Sequence, residues 1–124
     1  MKDSSNIKTG REGEILAAIY LEKNGYHIIE TNFRCAIGEI DIIAREKDEL
    51  VFLEVKTRTS KELGFPEQAV GIKKQKKMSQ LALWYLQNKS IKDTASRFDV
   101  LAITMSPKGN EIKLIKNAFD FIAA

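Results

Sequence analysis

The sequence predicts an α/β fold, a mixed sheet of about five strands flanked by helices in the order α-β-β-β-α-β-β. Three observations predict it. Residues 38–44 and 50–58 each alternate apolar and polar side chains at period two, the pattern of strands. Residues 72–88 instead carry Met78, Leu81, Ala82, Trp84, Tyr85 and Leu86 at helical spacing. That helix falls between the third and fourth strands, so it can make a right-handed crossover to a parallel neighbour.

The elements follow in order. Residues 8–23 read as a helix with Thr9 as its N-cap and Ile15, Leu16, Ala18, Ile19 and Leu21 as its apolar positions. Gly25 stops it. Residues 26–33 form the first strand, centred on Ile28 and Ile29. Gly38 opens the second, which runs to about residue 45. Entry after Arg34-Cys35-Ala36-Ile37 calls for a positive φ, which glycine adopts without steric cost. Glu46-Lys47-Asp48-Glu49 is a polar hairpin turn, and residues 50–57 are the third strand. Residues 59–65 form a polar loop, and Pro66 begins a helical turn through Val70. Beyond the long helix, residues 88–95 connect to a fourth strand at 97–104. Pro107-Lys108-Gly109-Asn110 then turns into a fifth at 111–115. With no internal repeat or low-complexity tract, the 124 residues read as one domain, 1–124.

Composition narrows the class. An apolar content of 44% suits a globular core, and no apolar run approaches the ~20 residues that span a membrane. The N-terminal residues have no apolar signal core behind them. Cys35 is alone, which excludes a disulfide framework and a thiolate metal site. The expectation is a cytoplasmic protein without a membrane partner. Net charge is only +3, but Lys73, Lys74, Lys76 and Lys77 cluster at the start of the long helix, with Lys56, Arg58 and Lys61 upstream. Such a local surplus can meet phosphate, although on charge alone a solvated helix face is the favoured reading.

The chemistry lies in the second hairpin. If Lys47 and Asp48 are its loop residues, Glu46 faces Glu49, Asp41 faces Glu54 and Glu39 faces Lys56. Opposed residues on antiparallel strands point to one side. This gathers Glu39, Asp41, Glu54 and Lys56 on one face, and Ile40, Ile42, Leu53 and Val55 on the other. Facing carboxylates repel and raise one another's pKa, and a divalent cation between them relieves this. An oxygen donor set suits Mg²⁺ or Mn²⁺, which polarises a phosphoryl oxygen and acidifies bound water. Lys56 reaches the same pocket and can orient the water or offset phosphate charge. Glu14 shares a helix face with Ala18 and Leu21; it either reaches the metal or faces water beside Arg11, and both stay open.

Asp41 followed by Glu54-Val55-Lys56 resembles the PD-(D/E)XK nuclease signature, with Ile40 where the literal motif has proline. A helical Glu upstream, matched by Glu14, resembles the arrangement in archaeal Holliday-junction resolvases. More closely, the chain resembles the YraN family of small bacterial proteins. The matching stretches are Gly13-Glu14, Gly25-Tyr26, Asn32-Phe33-Arg34, Gly38-Glu39-Ile40-Asp41, Val51 through Arg58, Lys74, Arg97-Phe98-Asp99-Val100 and Asn117-Ala118-Phe119.

The resemblance implies a restriction-endonuclease-like sheet and a metal-dependent endonuclease that hydrolyses phosphodiester bonds, with branched or structured DNA among its substrates. It implies catalytic roles for Glu14, Asp41, Glu54 and Lys56, with Mg²⁺ or Mn²⁺ held by Asp41, Glu54 and Glu14. Arg58, Lys74 and Lys73 are the expected nucleic-acid contacts, with DNA ahead of RNA as partner. Junction resolvases make two symmetric cuts, so the analogy also implies a homodimer. The alternative is a non-catalytic nucleic-acid-binding or adaptor protein that retains the fold. A third reading makes Glu39–Lys56 and Glu54–Arg58 plain surface ion pairs. His27 and Cys35 read as structural, Trp84 or Tyr85 as core, and Asp99 as a buried partner for Arg97 or another base.

Overall fold

The computed structural model describes residues 4–59 and 70–123, with side chains described from residue 10 onward. The elements are α1 (Ser4–Lys23), β1 (His27–Cys35), β2 (Gly38–Glu46), β3 (Glu49–Thr59), α2 (Ile72–Asn88), β4 (Ser96–Ser106) and β5 (Gly109–Phe119). They build one five-stranded sheet in the order β1-β2-β3-β4-β5. Neighbours are antiparallel except β3 and β4, which run parallel from Leu50↔Ser96 to Thr59↔Met105. The expected fold class, element order and parallel pair are therefore present. The helical turn expected from Pro66 lies outside the described residues.

Local chemistry explains the joints. Gly25 has φ +89, and the Tyr26 N–H returns 3.0 Å to the Leu21 carbonyl, which closes α1. Gly38 has φ +152 at the start of β2, a conformation costly for any residue with a Cβ. The Glu46↔Glu49 pair fixes the β2–β3 register, and Ile42↔Leu53 continues it. One expectation is corrected at the N-terminus: α1 begins at Ser4, so Thr9 lies inside the helix and not at its cap.

Two apolar layers hold the helices to the sheet. On one side α2 packs Met78, Leu81, Ala82 and Tyr85 against Phe33, Ile40, Ile43, Phe52 and Phe98. Tyr85 meets the edges of Phe33 and Phe52 at centroid distances of 5.2 and 5.8 Å, and Trp84 tilts against Phe33 at 5.7 Å. On the other side α1 lays Ala17 and Leu21 on Ile42, Val51, Leu53, Leu101 and Ile103. Each fully buried Leu, Ile or Phe contributes about 1.5–3 kcal/mol. The buried stripe of α1 is Gly13, Ala17 and Leu21, one turn apart, while Ile15 and Ile19 are 61% and 48% exposed. The apolar spacing read from the sequence thus mixed two faces of this helix.

Gly13 sets how closely α1 crosses the sheet. A Cβ there would overlap the Thr57 hydroxyl and come within 3.1 Å of Thr57 Cβ and Cγ2. Gly13→Val is therefore expected to lower stability by about 2 kcal/mol or more through overpacking. Urea denaturation checks this, and an unchanged midpoint would remove the close crossing from the account.

Candidate active site

The ladder between β2 and β3 stops at Ile42↔Leu53, and the site opens where it stops. The Val55 N–H does not meet a backbone carbonyl of β2 there; it donates 2.8 Å to Asp41 Oδ2. This places the Asp41 carboxylate between the two strands. It also explains a correction. Ile40 packs on the α2 side with Phe33 and Leu81, while Ile42, Leu53 and Val55 belong to the α1 side. The strict alternation expected for Ile40, Ile42, Leu53 and Val55 breaks at Asp41, because β2 turns as it leaves the ladder.

Glu54 follows Phe52 on the α2 face of β3 and is buried. Two ammonium groups approach it. Lys56 Nζ lies 3.6 Å from Oε1, and Lys74 Nζ, on the first turns of α2, lies 3.5 Å from Oε2. Glu14 stands half-buried on α1, beside Gly13, and accepts a hydrogen bond from Asn32 Nδ2 at 3.3 Å. Asn32 has φ +52, a left-handed turn of β1 that asparagine tolerates better than most residues. Glu39 does not join the group: Arg34 Nε takes it at 3.3 Å. Arg58 is half-buried near the end of β3, and Lys73 is exposed on α2.

Electrostatics single out Asp41. Burial first, then the Glu54 charge, push its carboxyl up to about 7; the Val55 N–H and Lys74 pull the other way, and Glu14 adds a smaller upward push. The folded protein therefore holds a proton on Asp41, between about pH 4 and 7, that the unfolded chain has released. This group's share of stability falls as pH rises through that window and is lowest above it. Asn keeps an acceptor for Val55 without the charge. Asp41→Asn is expected to be more stable than wild type at pH 8 by about 2 kcal/mol and to flatten this slope. Denaturation midpoints at pH 5 and pH 8 test it, and parallel pH profiles for the two proteins would contradict the assignment.

The donor set contains oxygen only, which fits a hard divalent cation. Among the described residues no three acid, histidine or cysteine side chains are gathered at ligand spacing. A metal would rest on the Asp41 and Glu54 carboxylates, with water and substrate oxygens completing its shell, as Mg²⁺ commonly does. The surroundings are cationic. Lys73, Lys74, Lys76 and Lys77 occupy the first turns of α2, which carry no acidic residue of their own, and Gly71 offers no side-chain cap. Cations are disfavoured at a helix N-terminus, so this placement raises the local positive potential and suits an anionic partner.

Sequence reasoning assigned Lys74 to phosphate; the structure brings it to Glu54. It missed Asn32, whose signal was an asparagine interrupting a strand pattern. Asp99 was placed correctly with Arg97. Across the parallel pair Arg97 lies opposite Val51 and Asp99 opposite Leu53, next to Glu54 along β3.

Comparison with known proteins adds family membership. The model of a family described as "Uncharacterised protein family UPF0102" matches residues 13–103. A UPF0102 protein of Syntrophus aciditrophicus is 50% identical over 117 residues, covering 94% of this chain and 92% of its own length. One from Geobacter metallireducens is 48% identical over 115 residues, covering 93% and 94%. A third, from Caldanaerobacter subterraneus, is 43% identical over 122 residues, covering 96% and 100%. Among solved structures, Pyrococcus furiosus SfsA in complex with Ca²⁺ aligns with 90% of this chain at 13% identity and a TM-score of 0.38. This chain spans 63% of that one, and a likeness so slight carries no argument.

Proposed function

The chain belongs to the uncharacterised protein family UPF0102, and we propose that it is a divalent-metal-dependent nuclease that hydrolyses phosphodiester bonds in DNA. One observation carries the reading: two acids from adjacent strands stand together, the Glu54 charge helping to push the Asp41 carboxyl up, while Lys56 and Lys74 flank Glu54. The resemblance of Asp41 and Glu54-Val55-Lys56 to the PD-(D/E)XK signature supports it, as does the cationic start of α2.

In this reading Asp41 and Glu54 hold Mg²⁺ or Mn²⁺, and Glu14 adds negative charge nearby. Bound there, the ion supplies Lewis-acid polarisation of a phosphoryl oxygen and a more acidic water. The protein's own groups do the rest. The Val55 N–H fixes the Asp41 carboxylate at 2.8 Å, so one ligand is oriented before any ion arrives. Lys56 presents its ammonium where it orients the attacking water and offsets phosphate charge. Lys74 holds Glu54 from the helix, while Lys73 and Arg58 contact phosphates on either side of the scissile bond.

A panel of labelled linear, flap and four-way DNA substrates, incubated with Mg²⁺ or Mn²⁺, tests the proposal. Products that vanish with chelator support it. Salt-sensitive binding with no products in either metal would replace it with the non-catalytic reading, in which Lys56 and Lys74 alone neutralise Glu54.

A further inference from the structure

The turn between β1 and β2 is built in an unexpected way. Cys35 pairs with Gly38, so two residues, Ala36 and Ile37, make the connection. Two-residue hairpin turns favour Asn, Asp and Gly, which accept the required backbone and lie well in water. Here the tip carries a β-branched apolar side chain, and Ile37 is 39% exposed.

The tip is held firmly. Lys77 Nζ donates 3.1 Å to the Ile37 carbonyl, and Gly38 stands at ordinary van der Waals range from Leu81, 3.4 Å from its Cδ1 to an added Cβ. The exposed apolar residue is thus tied to α2 by a bond and an adjacent packing contact. The same helix carries Lys74 three residues earlier, on the same side and about 4.5 Å along the axis, against Glu54. Along the chain the tip precedes Asp41 by four residues, roughly 13 Å of extended strand.

Its neighbours are mostly cations. Lys73 and Lys76 are exposed on α2, and Arg34, at the foot of the turn, has 77% of its side chain in water while its Nε pairs with Glu39 at 3.3 Å. Exposed ammonium and guanidinium groups around a rigid apolar point match one kind of partner, a nucleic-acid duplex. Phosphates meet the cations, and the apolar side chain meets the faces of bases. An isoleucine inserted between base pairs separates a step and kinks the duplex. Separation costs less at a mismatch or a flexible pyrimidine–purine step than in a stiff A-tract.

Resting on the nuclease reading above, we propose that Ile37 is a specificity residue: an apolar wedge that unstacks one base step within a few base pairs of the scissile phosphate. It directs the protein to duplex DNA that is mismatched, branched or otherwise easily opened. The contact involves no bond-making; Lys77 and Leu81 position the wedge, and Ile37 touches the substrate.

The test uses the full chain and duplexes carrying 2-aminopurine at a TA step, at a mismatch or within an A-tract. Fluorescence is read in EDTA and within the first seconds after adding Mg²⁺. Wild type is expected to raise emission at the TA step and mismatch, and Ile37→Ser to lower that rise by at least about fivefold. Ile37→Phe, which keeps an apolar wedge, is expected to retain it. Circular dichroism checks that the exposed substitutions leave the fold intact. An equal rise with Ile37→Ser, binding by wild type without a rise, or no binding in either condition would overturn the wedge. The two readings fail separately. Glu54-dependent cleavage without unstacking sinks the wedge and keeps the nuclease. Unstacking without cleavage in any metal keeps the wedge and sinks the nuclease.

Discussion

Glu54→Gln is expected to lower Mn²⁺-dependent cleavage of DNA by at least about a thousandfold while leaving the thermal unfolding curve near that of wild type. Gln is close to isosteric, so the buried position on β3 stays filled, but one of the two anionic ligands is gone. The same change removes the charge that helps push the Asp41 carboxyl upward, so Asp41 becomes easier to ionise. Lys56→Ala is expected to lose about a hundredfold or more, because the group lost orients water and offsets phosphate charge without anchoring the ion. Metal binding separates the two variants. Mn²⁺ should raise the unfolding temperature of wild type and Lys56→Ala and leave Glu54→Gln unmoved, since only a bound ion stabilises the native state by mass action. Undiminished cleavage by both variants would end the nuclease assignment.

Arg97→Met is expected to cost about 3–5 kcal/mol, the largest stability effect in the molecule outside the apolar core. The guanidinium is 10% exposed and bonds Asp99 at 2.9 Å, Glu46 at 2.6 Å, Glu49 at 3.0 Å and the Tyr26 hydroxyl at 3.0 Å. The Asp99 hydrogen bond is the main reason its pKa lies above the usual arginine value. Burial, then the bond to Asp99, keeps the Tyr26 phenol protonated well above its ordinary range. Lys116 reaches Glu46 at 2.7 Å, and the Asn117 N–H donates 2.9 Å to Asp99. Four strands and the start of β1 are thus tied together at one end of the sheet. Without Arg97, the fully buried Asp99 keeps only a phenol and one amide against its charge. Removing both charges in Arg97→Met/Asp99→Asn should recover part of the loss, because no ion is left buried without its partner. A loss below about 1 kcal/mol for the single variant, by urea denaturation, would show that this network does not hold the sheet end closed.

Most of the fold could be read from the chain. Period-two alternation and turn residues located the strands, and α2 was bounded correctly at Ile72–Asn88 by its helical spacing. The hairpin register followed from the two-residue loop at Lys47 and Asp48. Strand ends were drawn short: β5 reaches Phe119, four residues past its expected end, because Phe119 stacks on Phe98 at 4.8 Å. No local signal announces a partner that distant in sequence. The same limit misassigned Ile15 and Ile19, since an apolar residue on a helix does not say which side the sheet will cover.

The candidate site divides along the same line. The sequence by itself determined which groups are available: an acid before a hairpin, an acid and a lysine after it, and a lysine-rich helix start. Strand periodicity and a short turn are local properties, so local sequence sets them. Only the tertiary structure decided how those groups act. The departure of β2 from its ladder puts Asp41 against the Val55 amide, and the packing of α2 delivers Lys74 to Glu54 and fixes Ile37 through Lys77. Those contacts depend on where layers meet and how much water they exclude, and burial and charge proximity exist only once the chain has packed.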